Sequence, residues 1–341
     1  MPRALLLVVL VALAQLAAPG CGGGDDPARP PAPGRPELPF PPRAAEPAGA
    51  PAADARPAGR VVRVGDGPEG VAVDPRTGTV AVGLRDGRLA LVDVRTGRAR
   101  RFVRLPSAPR HVQLARPGGP FLVACEDADA LAEVAVTGGV RVTRVGDGPH
   151  DAAALADGRI VVADEFGATA TIVREGRVVA RRQVDVQPGG VAALGDIAAI
   201  VSVRAYTVAL LGARGRQGDS QNAGYGPSHA VADDDGRVYV TDTRGGGLSV
   251  FATRPRLRFV GRTALAGSPY GIAIDRRRGR LWVTLTARNA LVELTIGDVP
   301  RRLATRATVR QPNTVAVDER SGRLVVASRT DGTLQLLAPS G

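Results

Sequence analysis

The chain has three histidines, and each follows a proline by one or two residues: Pro109-Arg110-His111, Pro149-His150-Asp151 and Pro227-Ser228-His229. Neutral imidazole ligates divalent cations and takes up protons near pH 7, so these are the groups best placed to do chemistry. Carboxylates accompany them. Asp151 adjoins His150, while Asp164 and Asp242 close the runs Val161-Val162-Ala163 and Val240-Thr241. His111, Asp151 and His229 hold the second position after their prolines, where Gly70, Gly190 and Gly271 stand after others. Glycine at that position implies a close backbone approach, so a larger side chain is expected to project into the space beyond. The expected ligand-binding set is His111, His150, Asp151, Asp164, His229 and Asp242. A divalent cation is the candidate cofactor, with His111, Asp151 and His229 as candidate ligands, and nitrogen donors suit Zn or Mn better than Ca. The plainer expectation is that these groups bond one another and the neighbouring loops, as duplicated repeats would preserve.

The elements that must position these groups are legible in the spacing. A proline followed by a short apolar strand recurs at Pro68, Pro109, Pro149, Pro188, Pro227, Pro269 and Pro312, at intervals of 41, 40, 39, 39, 42 and 43 residues. Each unit continues with a turn such as Asp74-Pro75-Arg76-Thr77-Gly78, a second strand such as Val238-Tyr239-Val240, a third such as Leu291-Val292-Glu293-Leu294, and an Arg-rich fourth. Four strands with a period near 40, and no sustained 3.6-residue pattern, predict an all-β, seven-bladed propeller of four-stranded antiparallel blades over residues 61–341. After Pro312 only three strands remain. Val61-Val62-Arg63-Val64 is therefore expected to complete the last blade and close the ring, removing an exposed sheet edge. Blade four is the least regular, with Gly195-Asp196 serving as a very short turn.

Loops entering the innermost strands and loops joining strands two and three should open on one face, around the mouth of the central channel. The first set carries the histidines. The second carries carboxylates including Glu126, Asp127, Asp129, Asp164, Glu165 and Asp242.

Residues 1–20 read as an export signal, with Arg3 ahead of an apolar stretch from Ala4 to Ala18 that is short for a membrane span. Ala18-Pro19-Gly20-Cys21 resembles a bacterial lipobox, which makes Cys21 the expected lipidation site. A cut near Ala12-Leu13-Ala14 would instead give a freely secreted protein. Residues 21–60, with eleven prolines between Pro27 and Pro57, read as a disordered tether. The expected location is extracytoplasmic, lipid-anchored to a bacterial cell membrane, and the expected state a monomer. With Cys21 lipidated, Cys125 has no disulfide partner and reads as a small buried hydrophobe.

The formal charge of +12 does not imply nucleic acid, because all 45 basic residues are Arg, spread through the repeats. Aromatic residues make up 3 %, too few for a base-stacking platform. No CxxC, HExxH or phosphate-cradling motif is present, so those chemistries are excluded.

Val240-Thr241-Asp242, Val283-Thr284 and Ser268-Pro-Tyr-Gly-Ile-Ala-Ile-Asp275 carry a resemblance to YVTN- and NHL-type propellers and, more weakly, to the repeats of streptogramin lyases. The resemblance covers about residues 61–341. It implies the propeller fold and leaves function open, since related propellers are binding scaffolds, lyases and metal-dependent lactonases. The expected function is a surface-anchored module recognising a protein, peptide or glycan through its top face. The alternative is a metal-assisted lyase or lactonase with a His/Asp site at the channel mouth, although the repeat closest to the lyase pattern has Tyr270 and Gly271 where a histidine would be wanted. A scaffold in envelope assembly or redox accessory work is the third expectation.

Overall fold

Seven sheets of four antiparallel strands follow one another along the chain, described in a computed structural model over residues 43–339 apart from 54 and 213–216. The innermost strands are Val71–Asp74, Pro109–Leu114, Pro149–Ala154, Pro188–Leu194, Pro227–Ala232, Pro269–Asp275 and Pro312–Asp318, and they define blades one to seven. Among the described residues the only helices are single turns at Glu126–Ala128 and Thr286–Arg288. Export signal and lipidation site, residues 1–20 and Cys21, lie outside the described residues.

Burial across a blade explains its composition. The second and third strands are covered on both faces by neighbouring blades, so Phe121–Cys125 and Leu248–Phe251 are buried throughout and need no polar alternation. The fourth strands form the outer rim; Ala99–Arg104 and Arg177–Gln183 are mostly exposed, which is where much of the arginine goes. Cys125 packs between blades one and two beside Phe121 and Ala132, and burial pushes its thiol up to about 11. It is inert as a nucleophile at neutral pH.

The ring closes through the N-terminal strand. Arg60–Arg63 pairs antiparallel with Thr333–Leu337, with Arg60 opposite Leu336 and Arg63 opposite Thr333. Val62 packs against the cluster holding Val325 and Leu334, so both ends of the chain share one blade. In blade four, Leu194 pairs directly with Ile197 across Gly195-Asp196, as the short turn requires.

The segment before that strand departs from the expected disordered tether. Residues 43–53 and 55–58 run against blades four to seven: Tyr206 and Arg244 hold Arg43, Ser268 and Gln311 hold Ala48, and Gln335 holds Ala58. Proline does rule out helix and central strand here. It does not rule out an extended segment whose backbone is held by side chains of another element.

Candidate functional site

The innermost strand of each blade begins beside the end of the second strand; Pro149, for example, pairs with Asp164. Entry loops and second-to-third-strand loops therefore share one face, the top. A bulge follows the proline in six blades, and it turns the next two residues towards the mouth.

The glycine slot does not point down the channel axis. A Cβ on Gly70 would lie 2.8 Å from the backbone N of Val112, and one on Gly271 would lie 2.5 Å from the carbonyl oxygen of Asn313. In both cases the contact is with the next blade. Where the slot carries a side chain, that side chain leans the same way: Asp151 of blade three accepts the Val191 N–H of blade four at 2.9 Å, and His229 of blade five meets the edge of Tyr270 in blade six at 4.4 Å between ring centroids.

This geometry separates the expected metal ligands. Asp151 also accepts Gln113 Nε2 through both oxygens at 2.9 Å, and Gln113 donates to the Val191 carbonyl at 2.8 Å. Asp151 and Gln113 thereby satisfy both channel-side backbone groups of Val191, which no strand covers. His111 Nδ1 is 3.7 Å from Asp151, and its Nε2 faces His229 Nε2 at 2.9 Å across the mouth. Two nitrogens at that distance share one proton. His111 and His229 form a hydrogen-bonded pair, and with Asp151 engaged elsewhere the three do not make the cation site expected of them. Below them the channel encloses about 450 Å³, lined by residues such as Val73, Leu114, Ile272 and Val315 and ending near Arg276 and Glu319.

Asp164 and Asp242 are also placed elsewhere. Asp164 is fully buried, accepting from Gly146 N–H and from the hydroxyls of Thr169 and Thr171. Asp242, equally buried, accepts from the N–H groups of Tyr225 and Gly245 and pairs with Arg262 at 2.7 Å. Both pin the connector entering their own blade. In blades four and seven Ser202 and Ser328 end the second strand and bond the connector through their hydroxyls. These aspartates are fasteners of the fold rather than ligands at the mouth.

His150 is the histidine that meets carboxylates. Its Nδ1 lies 2.5 Å from Glu165, and ligand atoms of Glu126, His150 and Glu165 lie within 4.8 Å of one another. Arg110 approaches Glu126 at 2.7 Å without the alignment of a hydrogen bond, and Arg329 bonds Glu69 at 2.9 Å on the other side of the mouth. Burial raises Glu126 above the usual carboxylate range, partly opposed by Arg110. Burial acts on Glu165 too, but the hydrogen bond and charge of His150, with Arg110 and His111 behind them, hold it below that range. Both glutamates follow the second strand by one residue. The signal that could have singled them out is that position, one step past Cys125 and Asp164, which already face the connector.

His229 supplies a pH test. Burial, then the charges of His111 and His150, hold it well below its ordinary 6.5. Below about pH 6.5 the unfolded chain binds a proton that the folded protein refuses, so stability falls as pH drops, by up to about 1.4 kcal/mol per pH unit for one such group. Asp151, whose hydrogen bonds outweigh its burial to keep its pKa low, loses its contribution only at more acidic pH. Urea midpoints measured from pH 7.5 to 5.5 should therefore fall in the wild type and stay flatter in His229→Gln. Equal slopes would refute a neutral buried His229.

No family model matches the chain, and no curated protein matches it. Solved structures share the fold. The hydrazine synthase of Kuenenia stuttgartiensis is 15 % identical with a TM-score of 0.70, covering 82 % of this chain and 97 % of its own. A streptogramin B lyase is 13 % identical with a TM-score of 0.69, covering 82 % and 97 %. The Cps50 (Swd1) β-propeller domain of Myceliophteria thermophila is 13 % identical with a TM-score of 0.69, covering 82 % and 98 %. At these identities the likeness establishes the propeller fold alone.

Proposed function

We propose that the protein is a ligand-recognition propeller, held outside the cytoplasm through Cys21, whose recognition centre is the top-face mouth formed by Arg110, His111, His150, Glu126, Glu165 and His229. The carrying observation is that the mouth's polar groups come as preformed pairs, each joining two loops: Arg110 with Glu126 and His150 with Glu165 within one blade each, and Arg329 with Glu69 between blades seven and one. Paired, half-buried charges keep their geometry without a ligand, and preorganised polar groups give specificity at low entropic cost. Arg110 offers a planar donor fork to a carboxylate or amide oxygen, while the glutamates accept from hydroxyl or amide N–H. Peptide and glycan ligands present both kinds of group.

The second reading is a metal-assisted lyase or lactonase, favoured by the proximity of Glu126, His150 and Glu165. Two carboxylates and one imidazole suit Mn or Zn, and a cation held there would polarise a carbonyl oxygen. On this reading Glu126, His150 and Glu165 would hold the ion and Arg110 would orient the substrate.

Two measurements on one variant separate the readings. Purification without chelators followed by elemental analysis should find stoichiometric metal in the wild type and none in Glu165→Gln if the cation reading holds. Peptide and glycan arrays should give binders that are lost in the same variant, with no metal in either protein, if the recognition reading holds. Binders retained at full strength in Glu165→Gln, with no metal, would refute both for this mouth.

A further inference from the structure

Residues 43–51 cross the top face of blades four to seven with their backbone held by side chains. Tyr206 Oη accepts from Arg43 N–H at 3.0 Å and donates to the Arg43 carbonyl at 2.9 Å. Arg244 donates to the carbonyls of Arg43 and Ala44 at 3.2 and 3.0 Å. Ser268 Oγ accepts from Ala48 N–H at 3.0 Å, Gln311 accepts from Ala50 N–H at 2.7 Å and donates to the Ala48 carbonyl at 3.1 Å, and Asn289 donates to the Pro51 carbonyl at 3.1 Å. All of these bonds read main chain, none of them a side chain of the segment. Two side chains of the segment are nevertheless sized by the surface: Ala45 and Ala50 are buried, and the Ala45 methyl sits where a Cβ on Gly226 would be only 2.7 Å away.

The clamping residues have a second property in common. Eight non-glycine residues among those described have left-handed backbone, and four of the eight are Tyr206, Ser268, Asn289 and Gln311. Left-handed backbone is disfavoured for residues with a Cβ, and for a bulky aromatic most of all. Gly87, Gly246 and Gly332 take the same conformation without that cost in the second-to-third-strand loops, where Tyr206 and Asn289 stand in their own blades, and Gly67 and Gly148 do so before their prolines, where Ser268 and Gln311 stand. Asp129, Ala168 and Gln187 share this backbone at the same turn positions of other blades, so the conformation belongs to the repeat; what sets these four residues apart is that each turns its side chain onto the same segment, as a ligand clamp does.

We propose that this groove is a binding site for extended, proline-rich peptides with small side chains, and that residues 43–53 of the chain are its resident intramolecular ligand. Main-chain reading, two alanine-sized seats five residues apart, and prolines at 47 and 51 that bring no N–H needing a partner define the ligand class. The groove adjoins the mouth, since the charge of Glu46 in the segment acts on Tyr270, the neighbour of His229, but its hydrogen bonds to the segment come from none of the mouth residues. A free ligand must displace the tethered segment, whose effective concentration is on the order of millimolar for a short linker.

The test uses the full chain and a fluorescent peptide with the sequence of residues 43–53. Ala45→Arg with Ala50→Arg should unseat the resident segment, shown by loss of hydrogen-exchange protection at the amides of Ala48 and Ala50. The labelled peptide should then bind this variant at least tenfold more tightly than the wild type, and adding Tyr206→Phe or Gln311→Ala should weaken it again. Thermal melting of each variant establishes that the propeller is folded. Equal peptide binding to wild type and the double variant, no binding to a folded double variant, or unchanged amide protection in that variant would each overturn the proposal. So would a wild-type dimer in which the segment crosses to a second copy.

Discussion

Deleting residues 60–63 is expected to lower the unfolding free energy by about 4 kcal/mol, at about 1 kcal/mol for each main-chain hydrogen bond lost along the four paired positions. The loss extends beyond those bonds. Val62 covers Leu336 and its neighbours, and the stripped Thr333–Leu337 strand becomes an exposed edge able to pair with another chain. Urea denaturation should show the lower midpoint, and light scattering should show association at concentrations where the wild type stays dispersed. The double variant Arg60→Gln, Arg63→Gln keeps the backbone pairing and should shift stability by no more than about 0.5 kcal/mol. A deletion as mild as that double variant would show that the ring holds without its closing strand.

Asp242→Ala is expected to cost about 3 kcal/mol, because it leaves the connector N–H of Tyr225 and the loop N–H of Gly245 without an acceptor and Arg262 without its partner. The pocket around Asp242 is shaped for its carboxylate: a methyl on Gly224 or Gly245 would collide with it. Asp242→Asn keeps the volume and one acceptor, and should recover part of the loss. Were Asp242 a ligand at the mouth instead, Asp242→Ala would change binding and leave the urea midpoint near the wild-type value.

The fold was legible because a propeller writes its repeat into the chain: of seven prolines near 40 residues apart, six open an innermost strand and Pro68 stands three residues ahead of one, and three strands left after Pro312 imply that a fourth comes from the other end. The site was legible only in part. The three histidines do gather at one mouth, with His111 4.8 Å from His150 and 4.6 Å from His229 between ring centroids. Their partners could not be chosen from type and spacing, since those depend on which way a side chain leans after the bulge. Asp151 leans on the next blade's bare backbone, and Asp164 and Asp242 turn back into their own connectors. Glu126 and Glu165, one residue further along, are the carboxylates that reach His150. The contacts of residues 43–53 and 55–58 are not legible in the sequence for a related reason. Proline and alanine give such a segment little apolar surface to bury, so its order rests on Tyr206, Arg244 and Gln311 more than 150 residues away, whose side chains had no visible task in their own repeats.

The same docked segment makes the molecule a device in series under mechanical force. A pull on the chain ahead of Arg43 meets Tyr206 and Arg244 first, then Ser268, Gln311 and Asn289, so the attachments give way one after another rather than together. Only when that zip has opened, releasing roughly 50 Å of chain at about 3.3 Å per residue, does the force arrive at the closing strand and test the ring. The segment is thus a sacrificial stretch lying ahead of the ring in the line of force.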